Sequence, residues 1–137
     1  MAVTSLGIDI IEIARLRQAL ARHPRLAERL FTPAERAYCD GHADPAPHYA
    51  ARFAAKEAVA KAVGQHLRWQ EVEIISDFGG RPCLRLHGLS AQWAGVHRGV
   101  TFLLSLSHGR DNAVAAVIML SPPPSLPEDE PYQRVIV

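Results

Sequence analysis

The chain of 137 residues is 48% hydrophobic and 21% charged, with a formal net charge of +1 at pH 7. That length and apolar content suit one domain with a modest core, and the near-neutral total gives no general attraction for nucleic acid. No apolar run is long enough to span a bilayer or reads as a secretory signal. Cys39 and Cys83 form no metal-binding spacing, so they are expected as reduced thiols in a cytoplasmic protein.

The elements follow in chain order. Leu6, Ile8 and Ile10 alternate as in a strand with one buried face, over about residues 4–10. Asp9 then falls on the opposite face, between Gly7 and Ile11. A helix over about 13–22 follows, and His23-Pro24 interrupts the chain. Thr32-Pro33-Ala34-Glu35 reads as a capping box with proline at the first helical position, starting a short helix that ends near Gly41. Glu35 thereby has a structural role. Residues 14–36 hold six arginines against Glu28 and Glu35, a local charge of +4 with His23 neutral. Such a patch fits an acidic partner.

Asp44-Pro45-Ala46-Pro47 is a turn before a long central helix over about 48–63, stopped by Gly64. Glu71–Ile75 and Cys83–His87 alternate as two strands joined by the loop Asp77–Pro82. Ser90 is placed to cap a short helix that carries Trp93 and Val96 and ends at Gly99. Two further strands, Thr101–Ser107 and Ala113–Met119, are joined by the turn 108–112. Helices early and strands late, with short antiparallel joins, predict an α+β domain over 1–120, an antiparallel sheet packed on the long helix and shorter helices. The Pro-rich, acidic segment 121–137 is expected to be an extended, mobile tail. Its last three residues, Val135-Ile136-Val137, are apolar and available to dock.

Three segments carry chemistry. In Arg52–Ala62, helical spacing sets Glu57 and Lys61 one above the other beside Phe53, Ala54 and Ala58. A carboxylate against apolar surface is paired, metal-bound or protonated. Asp9 lies inside an apolar strand, where aspartate is a poor fit. Ser105-Leu106-Ser107-His108-Gly109 ends a strand with hydroxyls and an imidazole that suit phosphate.

Gly7-Ile8-Asp9-Ile10-Ile11-Glu12, Arg52 to Ala62 and Ser105-Leu106-Ser107-His108 together resemble, in order and spacing, the holo-acyl-carrier-protein synthase family of small phosphopantetheinyl transferases. Leu30–Glu35 and Gly79–Pro82 agree more weakly. The resemblance covers about residues 5–120 and leaves the tail without a counterpart. It implies transfer of 4′-phosphopantetheine from coenzyme A to a carrier-protein serine, with release of 3′,5′-ADP. It implies Mg²⁺ held by Asp9 and Glu57, Lys61 at the pyrophosphate, and Arg52, Ser107 and His108 as phosphate contacts. Arg81 and Pro82 match a loop near the nucleotide. The base that activates the serine is either Glu57 or a metal-bound water. Homotrimers sharing each site between two chains are implied. So is docking of an acidic carrier protein on the first helix, through Arg15 with Arg17 and Arg22. Fatty-acid, polyketide and peptide-synthesis carriers all fit that description.

Two other readings compete. A non-catalytic module binding coenzyme A or carrier would lack a metal ligand, yet Asp9, Glu57 and Lys61 are all present. A nucleic-acid-binding domain would interleave aromatics with the arginines, and residues 14–29 contain none.

Overall fold

The computed structural model describes residues 1–97, 99–122 and 136. Strand β1 (Ala2–Glu12) runs into helix α1 (Ile13–Arg22), followed by α2 (Leu26–Leu30), α3 (Pro33–Asp40) and the long α4 (Ala46–Val63). A 3₁₀ turn (Trp69–Glu71) leads to the hairpin β2 (Val72–Ser76) and β3 (Pro82–Leu86). Helix α5 (Gly88–Val96), β4 (Thr101–His108) and β5 (Asn112–Ser121) complete the chain. The strands form two antiparallel sheets, one ordered β1-β5-β4 and one made of β2 and β3. The protein is therefore α+β, with α4 across the three-stranded sheet.

Helix α4 is built mostly from alanine, the best helix former. Ala50, Ala54, Ala55, Ala58 and Val59 are fully buried. Small side chains on both partners let helix and sheet approach closely, with Ala113, Ala115 and Val117 of β5 buried against it. Gly64 ends the helix at φ +84°, a left-handed conformation that glycine adopts without strain.

The closest approach is at Gly7. A Cβ placed there would lie 2.0 Å from the Ala58 carbonyl oxygen. This contact decides which face of β1 points inward. Gly7, Asp9 and Ile11 turn toward α4, whereas Leu6, Ile8 and Ile10 are 50%, 56% and 62% exposed. The apolar alternation predicted from the sequence is real, but it marks the outward face. The inward face is the one bearing the glycine and the aspartate.

An internal ion pair ties the helices to the second sheet. Lys56 and Glu35 have fully buried side chains 2.7 Å apart. The Lys56 ammonium also donates to the Trp69 and Val72 carbonyls, and Glu35 accepts from the Thr32 and Ile74 amides. Glu35 closes the expected capping box on α3 and also neutralises Lys56, a second role beyond the box.

Other differences are local. Helix α2 follows the His23-Pro24 break, where no element was expected, and α4 begins at Ala46, which places Pro47 in its first turn, where proline is tolerated. Ser90 does not cap α5; it lies within the helix, and its hydroxyl donates to Glu71, which also accepts from the Leu89 amide. Of the expected tail, residues 123–135 and 137 lie outside the described residues. No helix among the described residues is long and apolar enough to cross a membrane.

Gly7→Ala is expected to destabilise the protein by about 3 kcal/mol, because the clash is with backbone that cannot rotate away. Gly95→Ala, on α5 with nothing within 4 Å of the new Cβ, is expected to be neutral or to stabilise by roughly 0.5–1 kcal/mol. Urea denaturation of both variants checks the pair. Equal stabilities would refute the close contact.

Candidate functional site

The Gly7 contact carries Asp9 to the last turns of α4. The Lys61 ammonium leans onto β1, donating to the Ile8 carbonyl at 3.0 Å and to Asp9 Oδ1 at 3.2 Å. Lys61 thus makes its ion pair across elements, with Asp9, although helical spacing sets it one turn from Glu57. The second oxygen, Asp9 Oδ2, is buried without a hydrogen-bond partner. Glu57, one turn before Lys61, is half-buried. Burial first, and then the negative charge of Asp9, push its carboxyl above the ordinary 4.5. A cleft of ≈ 450 Å³ opens here, lined by Glu57, Lys61, Gly64, Gln65, His66 and Ile136. Ile136 belongs to the apolar end of the chain that the sequence left free to dock.

A buried carboxylate oxygen with no donor, beside a second carboxyl with a raised proton affinity, is an unsatisfied arrangement. A divalent cation between Asp9 and Glu57 would satisfy the lone pairs and relieve the repulsion. Oxygen donors and only two carboxylates suit Mg²⁺, which fills its remaining positions with water and phosphate.

A second group gathers at the other end of α4. Arg52 is only 4% exposed, and its guanidinium lies 3.8 Å from the centre of the Tyr38 ring. Its Nε has no hydrogen-bond partner. His108, at the end of β4, meets His48 edge-on at 5.5 Å between ring centres, and His48 stacks on His42 at 3.6 Å. Arg52 and Lys61 are nine positions apart, about 14 Å along a helix axis. The predicted residues therefore form two groups within one chain. Ser107 points to the face of the sheet opposite His108, since neighbours in a strand alternate.

The remaining predicted residues lie elsewhere. Arg81 ends the β2–β3 loop and Pro82 begins β3; Asp77 braces the loop by accepting from the Gly79 and Arg81 amides. Neither lines the cleft at Glu57. Arg15 and Arg22 are exposed, and seven positions put them on one side of α1. Arg17 points away from that side and is engaged in a two-pronged pair with Asp44 at 2.7 and 3.1 Å. The sequence reading passed over Tyr38, His42 and His48. His48 was within reach of it, four residues before Arg52 and so on the same helix face.

Residues 5–117 match the 4′-phosphopantetheinyl transferase superfamily, and the chain belongs to that family. A curated holo-[acyl-carrier-protein] synthase from Moorella thermoacetica is 48% identical over 118 residues, spanning 84% of this chain and 92% of that relative. The solved ACPS–CoA complex from Chronobacterium ammoniagenes superposes with a TM-score of 0.79 at 29% identity, covering 90% of this chain and all of that one. A holo-(acyl-carrier-protein) synthase from Bacillus anthracis, solved in complex with CoA (3′,5′-ADP), gives 0.73 at 32% identity, with 88% and 98% covered.

Glu57 is expected to titrate above 4.5 in the metal-free protein. Asp9→Asn should lower that value by removing the neighbouring charge. The linkage sign follows: the folded state holds the proton to higher pH than the unfolded chain, so Glu57 costs stability as pH rises from its unfolded value through its folded one. Carboxyl-carbon NMR of both proteins measures the titration. A Glu57 that titrates at or below 4.5 contradicts the burial argument.

Proposed function

We propose that this chain transfers the 4′-phosphopantetheine arm of coenzyme A to a serine hydroxyl of an apo-acyl carrier protein and releases 3′,5′-ADP. The observation that carries this reading is the Asp9–Lys61–Glu57 group at an open cleft, with a buried Asp9 oxygen lacking a partner, in a chain of this family. The serine oxygen forms a new bond to the phosphorus that bears pantetheine. The bond from that phosphorus to the oxygen bridging to the nucleotide breaks, and 3′,5′-ADP departs with the electron pair.

Asp9 and Glu57 are the residues that would hold Mg²⁺, which neutralises pyrophosphate charge when bound. Lys61, fixed by the Ile8 carbonyl and Asp9, presents its ammonium to the departing phosphate, where negative charge develops. Glu57, lining the cleft, is the residue proposed to accept the serine proton. Arg52, Ser107 and His108 are assigned to phosphate contacts, and Arg81 and Pro82 to the nucleotide edge. Cys39, buried and pushed up to about 12, first by burial, stays a neutral thiol and takes no part in transfer. Two free thiols among the described residues fit a reducing cytoplasm.

The active assembly is proposed to be a homotrimer. Leu6, Ile8, Ile10, Leu103 and Ile118 leave one face of the three-stranded sheet apolar and 40–62% exposed, a surface that favours association. Pairing copies through it gives each Asp9–Glu57–Lys61 group an Arg52–His108 group from a neighbour. Arg15 and Arg22, exposed together on α1, are the proposed contacts for an acidic carrier, with Arg17 orienting the helix through Asp44.

Four outcomes are expected. Incubation with apo-carrier, coenzyme A and Mg²⁺ should add the phosphopantetheine mass to the carrier. Glu57→Gln and Asp9→Asn should lower the rate at least a hundredfold, a loss typical of removing one charged transition-state contact. Both should also lose the Mg²⁺-induced rise in melting temperature of the wild type, and a retained rise would remove them as ligands. Mixing inactive Asp9→Ala with inactive His108→Ala subunits should restore activity if sites are shared; no recovery in a refolded mixture argues for sites within single chains. Arg15→Glu should raise the KM for carrier with little change for coenzyme A, and added salt should weaken wild-type carrier binding. Equal carrier KM in both proteins would return the arginines to a solvated face.

A further inference from the structure

The group around Arg52 contains more basic side chains than two phosphate contacts require. Tyr38 of α3, His42 in the turn after it, His48 and Arg52 of α4 and His108 of β4 form one continuous stack. Ring centres are 4.8 Å apart for Tyr38–His42, 3.6 Å for His42–His48 and 5.5 Å for His48–His108. His42 Nδ1 lies 2.9 Å from the Tyr38 carbonyl oxygen. That nitrogen therefore donates, which leaves Nε2 as the site of protonation.

Among the described residues, the stack has no carboxylate free to pair with it. Asp44, whose charge reaches His48, is held by Arg17 at 2.7 Å. Asp40 accepts the Tyr49 hydroxyl, Glu35 is paired with Lys56, and the Cys39 thiol is neutral. On the other side stand three imidazoles and a buried guanidinium whose Nε has no partner. Stacked imidazoles repel when both are charged, and so they favour protonation only if a negative group arrives. The cleft at Glu57 has the opposite character, with two carboxylates that need a cation before they can face phosphate.

Coenzyme A carries two kinds of anion, a pyrophosphate and a terminal 3′-phosphate. The carboxylate-bearing group suits the first. The carboxylate-free group suits the second, a phosphomonoester of about −1.5 to −2 charge near pH 7 with three acceptor oxygens. We propose that His42 and His48 join Arg52 and His108 as ligands of the coenzyme A 3′-phosphate, so that their protonation sets how strongly the chain prefers coenzyme A to dephospho-coenzyme A. This rests on the transferase reading above and names the residues that select its substrate.

The sign follows from the surroundings. In the free protein, burial, and then the charges of His42, His108 and Arg52, hold His48 below its ordinary 6.5. A bound dianion reverses the local field and raises it. The complex then binds more protons than the free protein, and affinity falls as pH rises through the bound-state value. The phosphate's own second ionisation, near pH 6, works in the other direction. Neutral isosteric variants keep that contribution and remove only the imidazole's.

Calorimetry with coenzyme A and with dephospho-coenzyme A, at about pH 6 and pH 8, tests this on the full chain. Wild type should show a preference for coenzyme A that, relative to His48→Asn and His42→Asn, is about tenfold larger at the lower pH, the effect of a one-unit pKa change. Its binding heat should vary with buffer, reporting proton uptake. Dephospho-coenzyme A should bind all three proteins alike. A His48→Asn protein that loses this binding has lost its fold, and His42→Asn then decides. Equal preference in wild type and variants at both pH values, with coenzyme A still bound, overturns the imidazole role and leaves the transferase reading standing. Wild type that binds neither ligand sinks both.

Discussion

The absence of a side chain at Gly7 is the constraint on which the rest depends. Backbone of β1 and backbone of α4 come so close at Ala58 that a Cβ would overlap the carbonyl oxygen. Close packing of strand on helix then follows from alanine on both α4 and β5, because larger residues at 54, 58, 113 or 115 would hold the layers apart. Only at that separation does the Lys61 ammonium reach the Ile8 carbonyl as well as Asp9. The chemistry of the cleft is thus set by steric demands of residues that carry none.

A second constraint fixes α4 in rotation and height. Lys56 is buried with a charge that three oxygens hold at 2.7 Å each. Burial lowers its proton affinity, and Glu35 opposes that. Removing either partner would leave an unpaired internal charge, so the pair penalises every arrangement in which α3, α4 and β2 are misaligned. Lys56 therefore clamps the helix that displays Arg52 at one end and Glu57 and Lys61 at the other. The charged positions of α4 look alike in sequence but differ in role, because helical rotation sends each to a different neighbour.

The sequence showed most of this architecture but not its inside and outside. Every helix predicted over the described residues exists, as do the strands and their antiparallel joins, because capping boxes, glycine stops and alternation are local signals. The β1 alternation was misleading for a definite reason. Hydrophobicity marks a face suited to removal from water, but which face of β1 meets α4 is set by the close backbone approach at Gly7. Gly7 held the missing information, since a glycine inside a strand signals close backbone approach. The pairing of Lys61 with Asp9 was out of reach, because it joins positions 52 residues apart and competes with a plausible partner one helical turn away. The stack of His42, His48 and His108 was hidden for the same reason: three imidazoles from three elements have no common spacing.

The separation of the two functional groups along α4 ties these points together. One end offers two carboxylates and a lysine, the other a guanidinium and imidazoles, and about 14 Å of helix lies between Arg52 and Lys61. A rigid helix cannot fold its own ends onto one small ligand. In the proposed trimer, the outward sheet face with Leu6, Ile8, Ile10 and Ile118 would be the surface through which the two ends meet in different copies. On this view the outward apolar face, the tight Gly7 contact and the division of charge along α4 belong to one arrangement. The inward face of β1 sets the carboxylate end, and the outward face is the one the proposed trimer would use to complete it.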